Sequence, residues 1–302
     1  MIGLWLVAGL VMLACAGPPP GPDTSPVLRK WLDVPYAAVS AAQRLDVYLP
    51  NQGAGPFPVI VSIHGGAFKF GDKRGPDLQA ALAGLKRGYA VVSINYRLSG
   101  EARFPAQIQD VKAAIRFVRA NAAKHALDPG RIAVWGGSAG GYLAALAGTS
   151  GGVRELEDLA LGNADQSSRV QAVVDWFGPV DFLAMDGQFR RSGIAGQIHG
   201  TADSFESQLL GKTVAEAPEL VRRADPQTYI TPDDPPFFIQ HGTEDDVIPT
   251  AQSVDFAARL EKGLGKDKVT LELIPGAGHG GPPFMTPANL DKVLDFLDRH
   301  LK

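Results

Sequence analysis

Ser138 stands in Gly136-Gly137-Ser138-Ala139-Gly140-Gly141, between a short apolar run at 131–134 and an alanine-rich run at 142–148. A serine hydroxyl is a poor nucleophile at neutral pH. It attacks a carbonyl carbon only when a base takes its proton and an acid orients that base. The G-x-S-x-G spacing fits a sharp strand–turn–helix corner. At such a corner the serine backbone takes a strained, positive φ, and the residues two positions away must lack bulk. The helix that follows aims its free N–H groups and positive dipole end at the site. Glycine-rich turns before helices are common, so the rest of the chain has to decide the reading.

Six histidines are candidate bases: His64, His125, His199, His241, His279 and His300. His279 lies in Pro275-Gly276-Ala277-Gly278-His279-Gly280-Gly281, past the last apolar run, where the base belongs in the chain order serine, acid, histidine. His125 and His300 sit near the ends of amphipathic runs and are expected to be solvated. His199 falls in a segment that could touch substrate. His64 and His241 end strand-like runs and are expected to shape the site by hydrogen bonding. The acid should follow a strand between Ser138 and His279. His241-Gly242-Thr243-Glu244-Asp245-Asp246-Val247-Ile248-Pro249 offers three carboxylates in a row, and spacing leaves both Asp245 and Asp246 open. Asp181 is a weaker alternative, and helix capping is the ordinary role for any of them. Acyl transfer also places negative charge on a carbonyl oxygen, which backbone N–H groups must meet. Ala139 would supply one donor, and the turn His64-Gly65-Gly66-Ala67 another, from Gly65 or Gly66.

Positioning these groups requires strands that end at one edge. Leu45-Asp46-Val47-Tyr48-Leu49 alternates as a half-buried strand does. Phe57-Pro58-Val59-Ile60-Val61-Ser62-Ile63 is nearly all apolar, as in a parallel sheet covered on both faces. Further strands are expected at 89–95, 131–134, 170–177, 236–240 and 269–274. Helices are expected at 77–87, 105–124, 250–262 and 286–300. In the second of these, Ile108, Val111, Ile115 and Val118 form one apolar stripe. Residues 178–235 carry no clear strand, only short helical patterns at 204–210 and 213–223. The alternation predicts an α/β fold with a mostly parallel central sheet and helices on both faces. The strandless segment reads as a small helical cap insertion over the strands' carboxyl ends. Its Phe182, Met185, Phe189, Phe205 and Leu209 could line an acyl site, although aromatics at such spacing more often belong to the core.

The 302-residue chain carries a net charge of −3 and is 45% hydrophobic. That balance offers nothing for nucleic acid and is ample for one core. No metal-ligand spacing occurs, and the chemistry outlined needs no cofactor. The one cysteine, Cys15, excludes an intramolecular disulfide. It ends an apolar stretch that is short for a transmembrane helix and resembles a secretory signal over residues 1–16. Met12-Leu13-Ala14-Cys15 resembles a bacterial lipobox, cut before a cysteine that is then lipidated. This reading is preferred over ordinary cleavage at Ala14-Cys15-Ala16. Residues 17–30 then form a Pro-rich linker, and 31–302 the catalytic domain. The expectation is export from the bacterial cytoplasm, with the protein lipid-anchored at the envelope through Cys15 or else periplasmic or secreted.

Taken together, these motifs resemble the α/β-hydrolase superfamily of esterases and lipases, and within it the bacterial carboxylesterases of the bifunctional acetyl/feruloyl esterase group. The resemblance runs from about residue 36 to the end. It is carried by His64-Gly65-Gly66-Ala67-Phe68, Asn95-Tyr96-Arg97-Leu98, Phe104-Pro105-Ala106-Gln107 with Asp110, the serine corner, Asp234-Pro235-Pro236-Phe237, the 241–249 loop and Gly276-Ala277-Gly278-His279. It implies the α/β-hydrolase fold and a triad of Ser138, Asp245 and His279. The pattern H-G-x-x-D-x-x-V-P selects Asp245 over Asp246. It also implies an oxyanion hole from Gly65, Gly66 and Ala139, and a small-molecule ester as substrate. Two departures stand out: Ile248 replaces a usual valine, and Ala67 replaces the third glycine of many such esterases. A peptidase of the prolyl-oligopeptidase type shares the fold, but it usually carries a further domain and a different corner motif. An inactive binding protein on the same fold, or a tethered interaction protein, would not require the full catalytic set.

Overall fold

The computed structural model describes residues 20–302. The expected signal segment, Cys15 and the start of the linker lie outside the described residues. Eight strands form one sheet: β1 (Lys30–Pro35), β2 (Arg44–Tyr48), β3 (Phe57–Ile63), β4 (Ala90–Ile94), β5 (Leu127–Gly137), β6 (Ala172–Trp176), β7 (Phe237–Gly242) and β8 (Val269–Ile274). Their spatial order is β1-β2-β4-β3-β5-β6-β7-β8. The β1/β2 and β2/β4 pairs are antiparallel and all others parallel. This is the mostly parallel α/β-hydrolase sheet expected from the sequence.

Burial explains the strand patterns. Every residue of β3, β4, β6 and β7 is buried, because helices cover both faces and leave no polar side to alternate with. One face carries α2 (Ala106–Ala120), α3 (Ala139–Thr149) and α7 (Ala251–Leu264). The other carries α1 (Leu78–Leu82) and α8 (Pro287–Leu301). Three short helices, α4 (Met185–Ser192), α5 (Phe205–Leu210) and α6 (Pro218–Ala224), lie between β6 and β7 with no strand among them, in the segment expected as a cap. Within it Phe182, Met185, Phe189 and Leu209 are core residues, and of the five proposed lining residues only Phe205 reaches the cavity described below.

Some expectations are corrected. Strand β1 was not expected: its KWLDVP sequence has no clean alternation, and it becomes a strand by pairing with β2 at the sheet edge. The described part of the Pro-rich stretch lies against the domain. Leu28 N–H donates to Asn51 Oδ1, and Arg29 donates to the Pro50 and Gly53 carbonyls. A Cβ on Gly21 would overlap the Arg74 carbonyl, so that close approach requires glycine. His125 is buried rather than solvated, with its ring edge-on to Trp31 of β1 at 4.7 Å. Helix α2 ends at Ala120, four residues before the expected end, and Pro105 is its N-cap.

Candidate active site

Strand β5 delivers Ser138 to the start of α3. Its backbone has φ 56° and ψ −125°, the strained conformation expected of the corner. The flanking glycines are required sterically. A Cβ on Gly136 would lie 2.3 Å from the Gly140 backbone, and one on Gly140 would lie 2.1 Å from the Ile63 carbonyl oxygen. Strand, corner and helix therefore pack backbone to backbone, which holds the hydroxyl above the sheet edge.

The loops after β7 and β8 bring the other groups to it. His279 Nε2 lies 2.9 Å from Ser138 Oγ, and His279 Nδ1 lies 2.8 Å from Asp245 Oδ2. A carboxylate only accepts, so Nδ1 carries a proton and Nε2 is left to accept from the serine. Asp245 is fully buried. Its Oδ1 accepts the N–H groups of Val247 and Ile248, both at 2.8 Å, and its Oδ2 also lies 3.1 Å from His241 Nε2. Burial alone would raise this carboxyl, but the hydrogen bonds from His241 and His279 hold it well below the usual carboxylate range. His241 is fixed in turn by Ser253 Oγ at 2.7 Å and the Ile248 carbonyl at 3.0 Å. Asp246 is exposed, and Asp181 caps a turn by accepting from Leu183 and Ala184. Of the candidate acids, the structure brings only Asp245 to the imidazole.

The turn after β3 sits beside the serine and is strongly bent. Gly66, Ala67 and Phe68 all have positive φ, at 107°, 52° and 60°. Among the described residues no acceptor engages the N–H groups of Gly66 and Ala139, so both are free to meet an oxyanion. Gly65 is corrected: its N–H donates to Asp77 Oδ2 at 2.7 Å, so it fixes the turn and has no proton to offer an oxyanion. Below the turn, burial lowers the His64 imidazole. That ring stacks on Tyr96 at 4.4 Å and donates from Nδ1 to the Gly65 carbonyl.

A cavity of about 870 Å³ opens over Ser138 and His279. Its wall includes Trp135, Trp176, Phe177 and Phe284 from the core under α8. The cap adds Gln197, His199, Phe205 and Glu206. Pro20, Gly21 and Pro22 also contribute to the wall. Sequence reasoning missed Asp77, Phe177 and Glu206. Phe177 touches His279 edge-on at 4.7 Å. Nothing in the local sequence marks these three, because each gains its place through packing between distant segments. Among the described residues no group of side chains is arranged to hold a metal ion.

The BD-FAE family profile matches residues 45–260. Esterase LipQ of Mycobacterium tuberculosis is 33% identical over 82% of the chain and 56% of its own length. The chain thus spans little more than half of that relative. Among solved structures, a truncated carbohydrate esterase from gut microbiota is 36% identical, with a TM-score of 0.84 over 93% of this chain and 99% of that one. A bifunctional GH43-CE protein of Bacteroides eggerthii is 38% identical, with a TM-score of 0.83 over 91% of this chain and 35% of the other.

Proposed function

The chain belongs to the BD-FAE family, and from that membership we propose that it hydrolyses carboxylic esters through Ser138, His279 and Asp245. The observation that carries this reading is the unbroken run of hydrogen-bond distances, 2.9 and 2.8 Å, from a serine hydroxyl in a cavity to a buried carboxylate.

In this reaction His279 Nε2 takes the Ser138 proton as Oγ bonds to the ester carbonyl carbon. Asp245 holds the imidazole in the tautomer that can accept, and stabilises the imidazolium. The tetrahedral oxyanion meets the N–H groups of Gly66 and Ala139. Loss of one such donor costs about 3 kcal/mol of transition-state stabilisation. The carbon–oxygen bond to the alcohol breaks as His279 returns the proton to the leaving oxygen. Water then repeats the sequence on the acyl-serine, releasing the acid and restoring the hydroxyl. No step needs a metal or an organic cofactor.

The substrates we assign are short acyl esters, including esters of carbohydrates. Two features support this: the likeness to a solved carbohydrate esterase, and a cavity wall that combines aromatic side chains with Gln197, His199 and Glu206. The reading is tested by hydrolysis of p-nitrophenyl acetate by wild type and Ser138→Ala. The expected loss is about 10⁴-fold or more in kcat. Turnover that survives in a folded Ser138→Ala protein would overturn it.

A further inference from the structure

Glu206 lies in the first turn of α5, in the cavity wall next to Phe205, and is 4% exposed. Carboxylates are rarely this buried without a partner. Its partner is His199, whose Nδ1 lies 3.1 Å from Glu206 Oε2. This is an ion-pair distance, with the N–H off the ideal hydrogen-bond line. The other ring nitrogen, Nε2, lies 2.9 Å from the Val247 carbonyl oxygen. The Val247 carbonyl oxygen only accepts, so Nε2 carries a proton, and a carboxylate at ion-pair distance from Nδ1 favours a second proton there. Glu206 is thereby placed as the counter-ion to the charged form of the ring. Burial alone would lower this histidine, but Glu206, with the Val247 carbonyl and Asp186, raises it.

Glu206 Oε2 is closed off from solvent behind His199. Oε1 is not closed off in this way, and the residue lines the cavity. A carboxylate oxygen in a largely apolar wall calls for a hydrogen-bond donor. The two halves of an ester differ in this respect. A simple acyl chain has no donor, whereas an alcohol with further hydroxyl groups has several.

We propose that Glu206 is a specificity-determining residue, whose Oε1 accepts hydrogen bonds from free hydroxyl groups on the alcohol part of the ester. The cavity thereby favours esters of polyhydroxy alcohols, such as sugars, over aryl and alkyl esters of the same acid. This rests on the ester-hydrolase reading given above. His199 holds the carboxylate in place, and Phe205 beside it offers an apolar face to the ring carbons.

The test compares two acetates, p-nitrophenyl acetate and a monoacetylated methyl xyloside, in wild type and Glu206→Gln. The expected result is that the ratio of kcat/KM for the sugar ester to that for the aryl ester falls about 10-fold in the variant, mainly through KM of the sugar ester. An unchanged ratio, or a wild type that cleaves the aryl ester but not the sugar ester, would overturn the proposal and leave the esterase reading standing. A wild type that cleaves neither would instead remove the esterase reading. Glu206→Gln removes the carboxylate that faces His199. If that variant fails to fold, the doubly neutral His199→Gln/Glu206→Gln protein gives the same ratio to be read.

Discussion

Asp245 and Asp246 are adjacent carboxylates, and only their surroundings tell them apart. Asp245 is buried and accepts from two backbone N–H groups and His279, while Asp246 is exposed. Asp245→Asn would present an amide to His279, disfavouring the tautomer that accepts from serine. It is expected to lower kcat for p-nitrophenyl acetate by about 10⁴-fold. Asp246→Asn should stay within about 3-fold of wild type, as surface changes away from a site do. The reverse order of losses would remove Asp245 from its proposed role. The serine, the histidine and the acid loop were legible in the sequence because the chemistry demands certain residue types just past strand ends. Gly65 shows the limit of that legibility. Its place beside the serine was readable, but its N–H is taken by Asp77, twelve residues away on a loop that folds back. No local pattern announces that contact.

Where β6 meets α3, the packing is close enough to bury a carboxyl. Asp175, next to last in β6, is fully buried, and a Cβ on Gly141 would lie 2.4 Å from its Oδ1. That oxygen accepts from Gly178 N–H at 3.0 Å, and Oδ2 has no partner among the described residues. Burial pushes this carboxyl up to about 7. Between the ordinary carboxylate value of about 3.8 and about 7, the folded state keeps a proton that the unfolded chain gives up. Through this group, stability therefore falls as pH rises across that window, and the contribution is level above it. Asp175→Asn keeps the acceptor for Gly178 and cannot ionise. The drop in urea midpoint from about pH 5 to about pH 8 should be smaller in that variant than in wild type. Equal drops would show that Asp175 is not protonated in the folded protein. At this scale the fully buried parallel strands were readable as apolar runs, and the cap as a gap between them. Strand β1 was not, since its stability comes from β2 rather than from its own pattern.

For the molecule as a whole, the amino-terminal stretch raises a separate question. Export with lipid attachment at Cys15 is our proposal from Met12-Leu13-Ala14-Cys15. Mass spectrometry of the membrane fraction from a bacterial host should find a mature chain beginning with a lipid-bearing cysteine. A lipid-free chain beginning at Gly17 would refute it. Among the described residues the strands form a single sheet with core on both faces. What composition could not indicate is where the proline-rich segment goes, because proline fixes local extension but not direction.

Pro20, Gly21 and Pro22 help to wall the cavity that holds Ser138. The amino-terminal end of the described chain is therefore part of that wall. A protein fixed to a bead or a surface by that end would stand with this part of the wall toward the support, and crowding there is expected to exclude bulky esters before small ones. Among the described residues no lining residue belongs to α8, so holding the protein by the exposed face of that helix would leave this wall clear.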